Sequence, residues 1–394
     1  MSLLVISSYP EKHKTHDEKT VGGASYAKNT ILFIKKQNPD LKITVFAEEF
    51  NGFESYIDDG DILVKRIWKR NNISSLIKLF FEVLKNKDPK ILIEFEMFMF
   101  GGLIYTSVFL LTLGLLKIFG KQNYLVLHQV VSDLSSFEKN TIKRLVYSSF
   151  RKILYSYLYL ISNKIIVFEE YLKEILNLGD KIVVIPHAVE QKSILDKKES
   201  KQRLELDINQ KYILSFGYIS PYKGIDKFIE NYPNKTDYKL IVAGGINPNH
   251  SKNPEYIDFV DKVKIKASEI GAISIGFVKE SEIELYFSAC DIVVLPYQTF
   301  MSSSGPLALA FSYEKPVMLS SSLEKYFLTN DFKIACEGSN LNPQDFLFEF
   351  SDISIKDRIN YISLNRAKFV KFSSNIKSAR SWETISKCYQ KEIF

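Results

Sequence analysis

Two stretches of the sequence combine small polar residues with a following helix, a pattern suited to binding a phosphate. Residues 291–317 read DIVVLPYQTFMSSSGPLALAFSYEKPV, which is a short apolar strand, a polar loop and a helix with Pro306 at its first position. Such a loop aims backbone N–H groups at one point beside the positive end of the helix dipole, and it favours an anion. The alternative is an ordinary strand–turn–helix whose serines only cap the helix.

The second stretch has the same order of strand, glycine-containing loop and helix. Ser215–Ile229 reads SFGYISPYKGIDKFI and places Lys223, predicted to be exposed, at the end of its loop. A lysine that faces backbone donors can hold a diphosphate without a metal. The two stretches together predict a diphosphate site.

Three further polar residues are predicted at the carboxyl ends of strands, where ligands bind in open α/β sheets. His128 ends the strand NYLVLH, and Glu94 and Glu96 lie on one side of the strand end in IEFEMF. Glu96, nearer the loop, is the better candidate to accept a proton from a reacting hydroxyl. The alternatives are a hydrogen-bonded core histidine and a solvated carboxylate.

Other short signals point to ligand contact or to a metal with less specificity. Gly22 and Gly23 precede a helix and would let the backbone approach a ligand closely, unless they form a plain turn. His13 and His16 have no third ligand nearby, so a metal is not expected there. The Asp-Gly-Asp at 59–61 mimics a metal-binding D-x-D motif, but it is predicted to be a turn before a strand.

The elements that must position these residues alternate between strand and helix over the first half of the chain. The predicted strands are Leu3–Ser7, Lys42–Glu48, Lys90–Phe95, Asn123–His128, Lys164–Phe168 and Lys181–Val189; the predicted helices are Ala24–Lys36, Ile73–Lys87, Met97–Leu116 and Lys143–Lys164. This alternation is typical of an α/β, doubly wound fold with parallel sheets.

Two of these helices raise the question of a membrane. Met97–Leu116 carries no charge over 20 residues, long enough to span a bilayer. A span would put the strands on either side of it on opposite sides of the membrane, so a buried or membrane-touching helix is predicted. Lys143–Lys164 interleaves Arg144, Arg151 and Lys152 with tyrosines, which suits a membrane interface, unless the tyrosines are simply core.

Composition sets the broad class of the protein. The chain has 394 residues, 46% of them hydrophobic and 13% aromatic, which predicts two ordered domains rather than disorder. A net charge of +6 suits an anionic sugar donor or an anionic membrane face, but it is too small to indicate nucleic acid. Cys290, Cys336 and Cys388 show no metal or redox spacing, and Leu3–Ile6 is too short for a signal-peptide core. A cytoplasmic protein is therefore expected.

Five motifs in the second half carry a family resemblance. In order, FGYISPYKGID, KLIVAGG, GFV, ACDIVVLPY and SSGPLALAFSYEKPV resemble the C-terminal half of family-4 retaining glycosyltransferases of the GT-B fold. The resemblance covers nearly the whole chain and is strongest from Tyr212 to Ser320. It implies two Rossmann-like domains with a cleft between them. These two are a 1–190 acceptor domain and a 191–370 donor domain, and a C-terminal helix, 371–394, crosses back to the first.

The resemblance also implies a function and roles for individual residues. It implies transfer of a hexose from a nucleoside-diphosphate sugar to a hydroxyl of a glycan or lipid-linked glycan, with retention and without metal or cofactor. The expected location, on the cytoplasmic face of a membrane, comes instead from the two helices described above. His128 and Glu96 would be catalytic, and Lys223 with the Ser302–Gly305 amides would stabilise the departing diphosphate. The donor-binding set would be Gly22, Gly23, Gly217, Lys223, Gly244, Phe277, Ser302, Ser303, Ser304 and Gly305.

The sequence departs from the family at three positions. Met301 and Leu309 stand where many members carry the two glutamates of E-x7-E, and Tyr218 stands where many carry arginine. A rival hypothesis is therefore a non-catalytic glycosyltransferase-like subunit that supports a partner enzyme. A GT-B sugar-nucleotide epimerase is a third hypothesis, which the order of the C-terminal motifs does not favour. Nucleotide binding separates the first two hypotheses.

Overall fold

Two parallel sheets organise the chain in a computed structural model that describes residues 1–14, 23–50, 53–130, 141–247 and 250–394. Unit 1 comprises Met1–His187 and Trp382–Phe394, and unit 2 comprises Ala188–Ser381. The sequence-based boundaries fell at 190 and 370. Residues 371–381 belong to unit 2, because Phe372 and Ile376 lie in its hydrophobic core.

The described residues of unit 1 form one eight-stranded sheet in the order β3-β4-β2-β1-β5-β6-β7-β8. Its strands are β1 (Ser2–Ser7), β2 (Lys42–Glu48), β3 (Tyr56–Asp58), β4 (Ile62–Trp68), β5 (Lys90–Phe95), β6 (Gln122–Leu127), β7 (Lys164–Val167) and β8 (Ile182–Val184). All neighbours pair in parallel except β3 and β4, which form an antiparallel hairpin. Residues 3–6 are fully buried, as expected for a central strand with both faces covered.

Helices cover both faces of this sheet. They are α1 (Gly23–Gln37), α2 (Ile73–Lys85), α3 (Leu103–Ile118), α4 (Thr141–Ile161) and α5 (Glu170–Leu176), together with the C-terminal α14 (Trp382–Ile393). The last helix packs on α1, where the hydroxyls of Tyr26 and Tyr389 lie 3.1 Å apart. The C-terminal helix is thus an integral part of unit 1.

The described residues of unit 2 form a six-stranded parallel sheet in the order β11-β10-β9-β12-β13-β14. Its strands are β9 (Lys211–Phe216), β10 (Tyr238–Ala243), β11 (Ile273–Ser274), β12 (Ile292–Leu295), β13 (Val317–Ser320) and β14 (Leu347–Phe348). Its helices are α6 (Lys197–Arg203), α7 (Ile225–Glu230), α8 (Pro254–Glu269), α9 (Glu280–Ala289), α10 (Gly305–Ser312), α11 (Asn330–Ser339), α12 (Asp352–Leu364) and α13 (Arg366–Ala379).

Two predicted elements are shorter than the sequence indicated. The apolar helix begins at Leu103 rather than Met97, because Gly101 takes a φ of 122° and interrupts the run. The strand predicted over Lys181–Val189 ends at Val184, just before Pro186, which has no N–H to donate to a ladder. Both errors come from apolar runs that continue past a local break in the backbone.

The length of α3 bears on the question of whether this helix spans a membrane. The 16 residues of α3 span about 24 Å, less than the roughly 30 Å of a bilayer's hydrocarbon core. Over the residues that the structure describes, no helix is long and apolar enough to cross a membrane.

The Asp-Gly-Asp motif is a turn, as predicted. It joins β3 to β4, and Gly60 and Asp61 have φ values of 72° and 61°. Positive φ at both central positions matches a tight hairpin turn.

Candidate functional site

The diphosphate stretches of unit 2 meet where the direction of strand addition reverses. The chain goes from β9 to β10 on one side and later to β12 on the other side, so a crevice forms at the carboxyl ends of β9 and β12. Gly217 directly follows β9 with a φ of 100°, and its N–H donates to the carbonyl of Ala243 at 2.9 Å. A Cβ on Gly244 would overlap the carbonyl oxygen of Gly217. Both glycines are therefore required by the close approach of the two loops.

Lys223 lies at the centre of this crevice. It ends the 3₁₀ turn Pro221–Lys223, and Gly224, with a φ of 65°, starts the next helix. A Cβ on Gly217 would lie 2.8 Å from Nζ of Lys223 and 3.2 Å from Cγ of Pro306. The glycine loop, the lysine and the first turn of α10 thus converge on one point.

The environment of Lys223 differs from the prediction. Its side chain is partly buried rather than exposed, and desolvation lowers the pKa of its ammonium to about 8. Within the described part of the chain, the ammonium makes no hydrogen bond or ion pair. A desolvated cation that lacks a counter-ion is a strong binding group for an anion.

The serine loop combines both alternatives that the sequence left open. Ser304 caps α10 by accepting a hydrogen bond from the N–H of Leu307 at 3.3 Å, and its Oγ lies 2.9 Å from the hydroxyl of Tyr297. Ser302 is buried, Ser303 is half-buried, and Gly305 is exposed with open space where a Cβ would stand. Ser304 therefore caps α10 as the alternative interpretation predicted, and the first residue of the helix, Gly305, remains accessible to a ligand.

Leu309, Met301 and Tyr218 stand where many family members carry charged residues. Leu309 packs against the unit 2 core, and the backbone carbonyl of Met301 accepts a hydrogen bond from Tyr326. The rings of Tyr218 and Phe277 lie 6.4 Å apart at an angle of 22°, and Phe277 is 57% exposed. An aromatic pair therefore borders the glycine loop where an arginine was expected.

A cavity of about 230 Å³ lies beside this loop. Its lining residues are Ile219, Val242, Gly244, Val263, Lys264, Ser274, Ile275 and Gly276. The wall is largely apolar, with backbone groups, one serine and one lysine, which is typical of a pocket for part of a small molecule.

The second group of predicted residues lies at the corresponding switch point of unit 1, where the chain moves from β1 to β2 and later to β5. His128 is buried, and its Nε2 lies 2.8 Å from Oε2 of Glu94. Oε1 of Glu96 accepts a hydrogen bond from the N–H of Gly23 at 3.2 Å, at the start of α1. A Cβ on Gly23 would lie 2.8 Å from that Oε1 and 3.3 Å from Cε1 of His128. The structure thus brings Gly23, Glu96 and His128 together; Gly22 lies outside the described residues.

Electrostatics make this histidine unusual. Burial by itself would lower the pKa of His128, but the hydrogen bond to Glu94 and the charges of Glu94 and Glu96 raise it above its ordinary value. Tyr26 packs edge-on against the imidazole with ring centroids 5.4 Å apart. The imidazole is therefore held in one orientation and biased toward the protonated form.

Sequence reasoning undervalued two carboxylates of unit 1. Glu94 was considered only beside Glu96, yet it is the direct partner of His128. Glu48, at the end of β2, was missed; its Oε2 lies 3.3 Å from Oγ of Ser8, and burial raises its pKa to about 7. The position of Glu48 at a strand's carboxyl end was the signal that could have found it.

Over the described ranges, no group of three or more His, Cys, Asp and Glu side chains is arranged to hold a metal ion.

Comparison with known proteins gives a family match in the second half of the chain. Residues 196–323 match the family model described as Glycosyl transferases group 1. The GDP-mannose:glycolipid 4-beta-D-mannosyltransferase of Xanthomonas campestris pv. campestris is 33% identical over 106 residues, which cover 27% of this chain and 29% of that relative. The matched stretch thus spans less than a third of the relative's length.

Solved structures match over nearly the full length. Sucrose-phosphate synthase from Thermosynechococcus elongatus has a TM-score of 0.72 at 14% identity, covering 99% of this chain and 97% of that chain. HepE of Anabaena, in complex with UDP-glucose, has a TM-score of 0.64 at 16% identity, covering 99% and 98%. The predicted GT-B fold of two Rossmann-like domains is confirmed.

Proposed function

We propose that this protein is a glycosyltransferase that moves a hexose from a nucleoside-diphosphate sugar to a hydroxyl of a glycan or lipid-linked glycan. The reaction proceeds with retention and needs neither metal nor cofactor. Unit 2 binds the donor, and unit 1 supplies His128 and Glu96.

The observation that carries this proposal is the unpaired ammonium of Lys223. It lies beside Gly217 and the start of α10, where backbone N–H groups and the helix dipole also favour negative charge. Holding a partly buried cation without a counter-ion costs stability, and a bound anion would remove that cost. In the transfer reaction that anion is the diphosphate, whose charge grows as the glycosidic bond breaks.

The roles in unit 1 follow from the contacts of His128. With Glu94 holding Nε2, the protonated imidazole orients the donor sugar by hydrogen bonding to a hydroxyl. Glu96, whose Oε1 accepts a hydrogen bond from the N–H of Gly23 at the start of α1, accepts the proton that the acceptor hydroxyl loses. Atoms balance without a covalent intermediate: the acceptor oxygen bonds to the anomeric carbon as the bond to the diphosphate breaks, and the proton goes to a carboxylate.

The choice of donor and acceptor is guided by the relatives. The Xanthomonas relative is named for GDP-mannose and a glycolipid, and the HepE structure contains UDP-glucose. GDP-mannose and UDP-glucose are therefore the first donors to test, with a lipid-linked glycan as acceptor. The relative's name specifies a beta linkage, so the stereochemistry needs its own measurement. Retention requires that the product linkage have the same anomeric configuration as the donor. The one-bond carbon–proton coupling at the anomeric carbon of the product reports that configuration.

The deciding experiment is a binding panel followed by a transfer assay. UDP, GDP, ADP and their sugars are titrated into the full chain by calorimetry, since a ligand of the native state also raises its thermal stability. We expect one nucleotide to bind and its sugar to be transferred. Binding of none would overturn the proposal.

A second function is favoured by one specific observation. Met301 and Leu309 cannot make the contacts that glutamates make in many family members. A non-catalytic glycosyltransferase-like subunit that supports a partner enzyme would have no need of them. It would show no nucleotide binding and would raise the activity of the partner.

A further inference from the structure

Helix α3 exposes an apolar surface that the core of unit 1 does not cover. Phe109, Leu113 and Leu116 face inward and are fully buried. On the opposite side Leu111 and Ile118 are 63% and 79% exposed. Over the described residues, the exposed side of this helix carries no charge apart from Lys117 near its end, whose Nζ donates to Asn163 at 2.8 Å.

The two neighbouring helices extend this surface. On α2, Phe81 is exposed and lies edge-on to Phe80, whose ring lies 6.2 Å from that of Phe119 at the end of α3. On α4, Ile153 and Leu160 are exposed two turns apart. Helix α4 is fixed to α3 by a hydrogen bond from the Tyr157 hydroxyl to the Leu110 carbonyl at 3.0 Å. The exposed sides of α2, α3 and α4 form one surface, here called the apolar face.

Charge around the apolar face has one dominant sign. Among the described side chains of the three helices, Glu82 is the one acidic residue, against Lys78, Lys85, Lys117, Arg151 and Lys152. Lys85 pairs with Glu82 at 2.8 Å and Lys78 with Glu49 at 3.4 Å, so the excess positive charge comes from Lys117, Arg151 and Lys152. Large apolar side chains next to cationic ones suit the surface of an anionic lipid bilayer, where charged headgroups lie over hydrocarbon.

We infer that the apolar face docks on an anionic phospholipid bilayer, with α3 lying in the plane of the interface. A second copy of the chain fits less well, because two apolar faces brought together would set basic residues against basic residues. The contact area of single side chains is modest, but three helices present their apolar side chains in one layer. The sequence left the apolar helix as buried or membrane-touching and the tyrosines of 143–164 as interface or core. Tyr155 is buried and Tyr157 bonds to α3, so the inference places the contact on α3 and on the exposed apolar side chains of its neighbours.

The test uses the full chain and vesicle flotation, without donor or acceptor, so its result is independent of the proposed transfer reaction. The vesicles contain phosphatidylcholine alone or phosphatidylcholine with phosphatidylglycerol. The test variant is Leu111→Gln with Leu115→Gln. The control variant is Ile265→Gln with Ile353→Gln, which makes the same kind of change at residues of unit 2 that are 60% and 69% exposed. All four positions are exposed, so thermal melts of both variants should match the wild type.

We expect the wild type to float with the anionic vesicles and to bind neutral ones at least about tenfold more weakly. The Leu111/Leu115 variant should bind anionic vesicles at least about tenfold more weakly than the wild type, and the control variant should bind like the wild type. Three results would overturn the inference. These are no binding of the wild type to either vesicle, equal loss in the two variants, and self-association in sedimentation that the Leu111/Leu115 changes abolish while vesicle binding persists.

Discussion

Oε2 of Glu94 lies 2.8 Å from Nε2 of His128, and both side chains are buried at the carboxyl edge of the unit 1 sheet. This pair controls both the orientation and the charge of the imidazole, because Glu94 raises the pKa of His128 against the effect of burial. In the proposed reaction, Glu94 would act through His128 as a positioning residue. Its contribution is separable from that of Glu96, which bonds to Gly23 instead.

The first prediction concerns this pair. Glu94→Gln should lower the pKa of His128 and reduce transfer at least about tenfold. The reason is that a neutral or reoriented imidazole would not hydrogen-bond the donor sugar correctly. In the wild type, the stability contributed by the pair is fully present below about pH 6.5 and is lost as pH rises through the raised pKa of His128. Denaturant unfolding at several pH values should show this slope in the wild type and not in the variant. An unchanged histidine pKa by NMR would contradict the assignment.

The second prediction concerns Lys223. Lys223→Ala should weaken nucleoside-diphosphate binding by about 1.5–3 kcal/mol, the range for a charged hydrogen bond. Lys227→Ala is the matched control, because Lys227 lies four residues away but pairs with Glu230 at 3.2 Å on the surface. Equal affinity of the two variants in calorimetry would remove Lys223 from the site.

The third prediction is a pH dependence of nucleotide binding. Desolvation lowers the pKa of the free Lys223 to about 8, so above that pH the protein must take up a proton to bind the diphosphate. Affinity should fall by up to about tenfold per pH unit above pH 8. Lys223→Arg should bind without this fall, since a guanidinium stays charged. A wild-type affinity that is flat between pH 7 and 9.5 would show that Lys223 does not pair with the ligand.

The fourth prediction tests the space beside Glu96. Gly23→Ala places a methyl group 2.8 Å from Oε1 of Glu96, the mobile end of a side chain, so the carboxylate should move and the fold should persist. We expect a change in the free energy of unfolding of less than about 1 kcal/mol and a loss of turnover of about tenfold or more. Gly102→Ala, in open space at the start of α3, should leave both unchanged.

The fifth prediction restores a family residue. Leu309→Glu should tighten nucleotide binding about tenfold or more if a ribose lies next to α10, because a carboxylate can accept its hydroxyls. Ala308→Glu adds the same charge one position away and should weaken binding by repulsion of the diphosphate. If neither the wild type nor Leu309→Glu binds any nucleotide, the non-catalytic hypothesis gains.

Several strands were predictable because buried parallel strands read as continuous apolar runs, whereas the short strands Tyr56–Asp58 and Leu347–Phe348 were not predicted. Lys42–Glu48 and Lys90–Phe95 were predicted with their observed bounds. The burial of Lys223 was not predictable from sequence, because it depends on how the turn at 221–223 packs under Gly217 and Pro306. The bond between Glu94 and His128 also required the pairing of β5 with β6, which sequence spacing alone does not provide.

The order of elements along the chain has a consequence for biosynthesis. Unit 2 is continuous from Ala188 to Ser381, whereas unit 1 needs α14, which leaves the ribosome only after all of unit 2. Until then Tyr26 lacks the ring of Trp382, 5.2 Å away in the native state, and the hydroxyl of Tyr389. Unit 2 can therefore complete its core during translation, while unit 1 stays open along α1. Chaperones that act on nascent chains should meet this exposed side of α1 first.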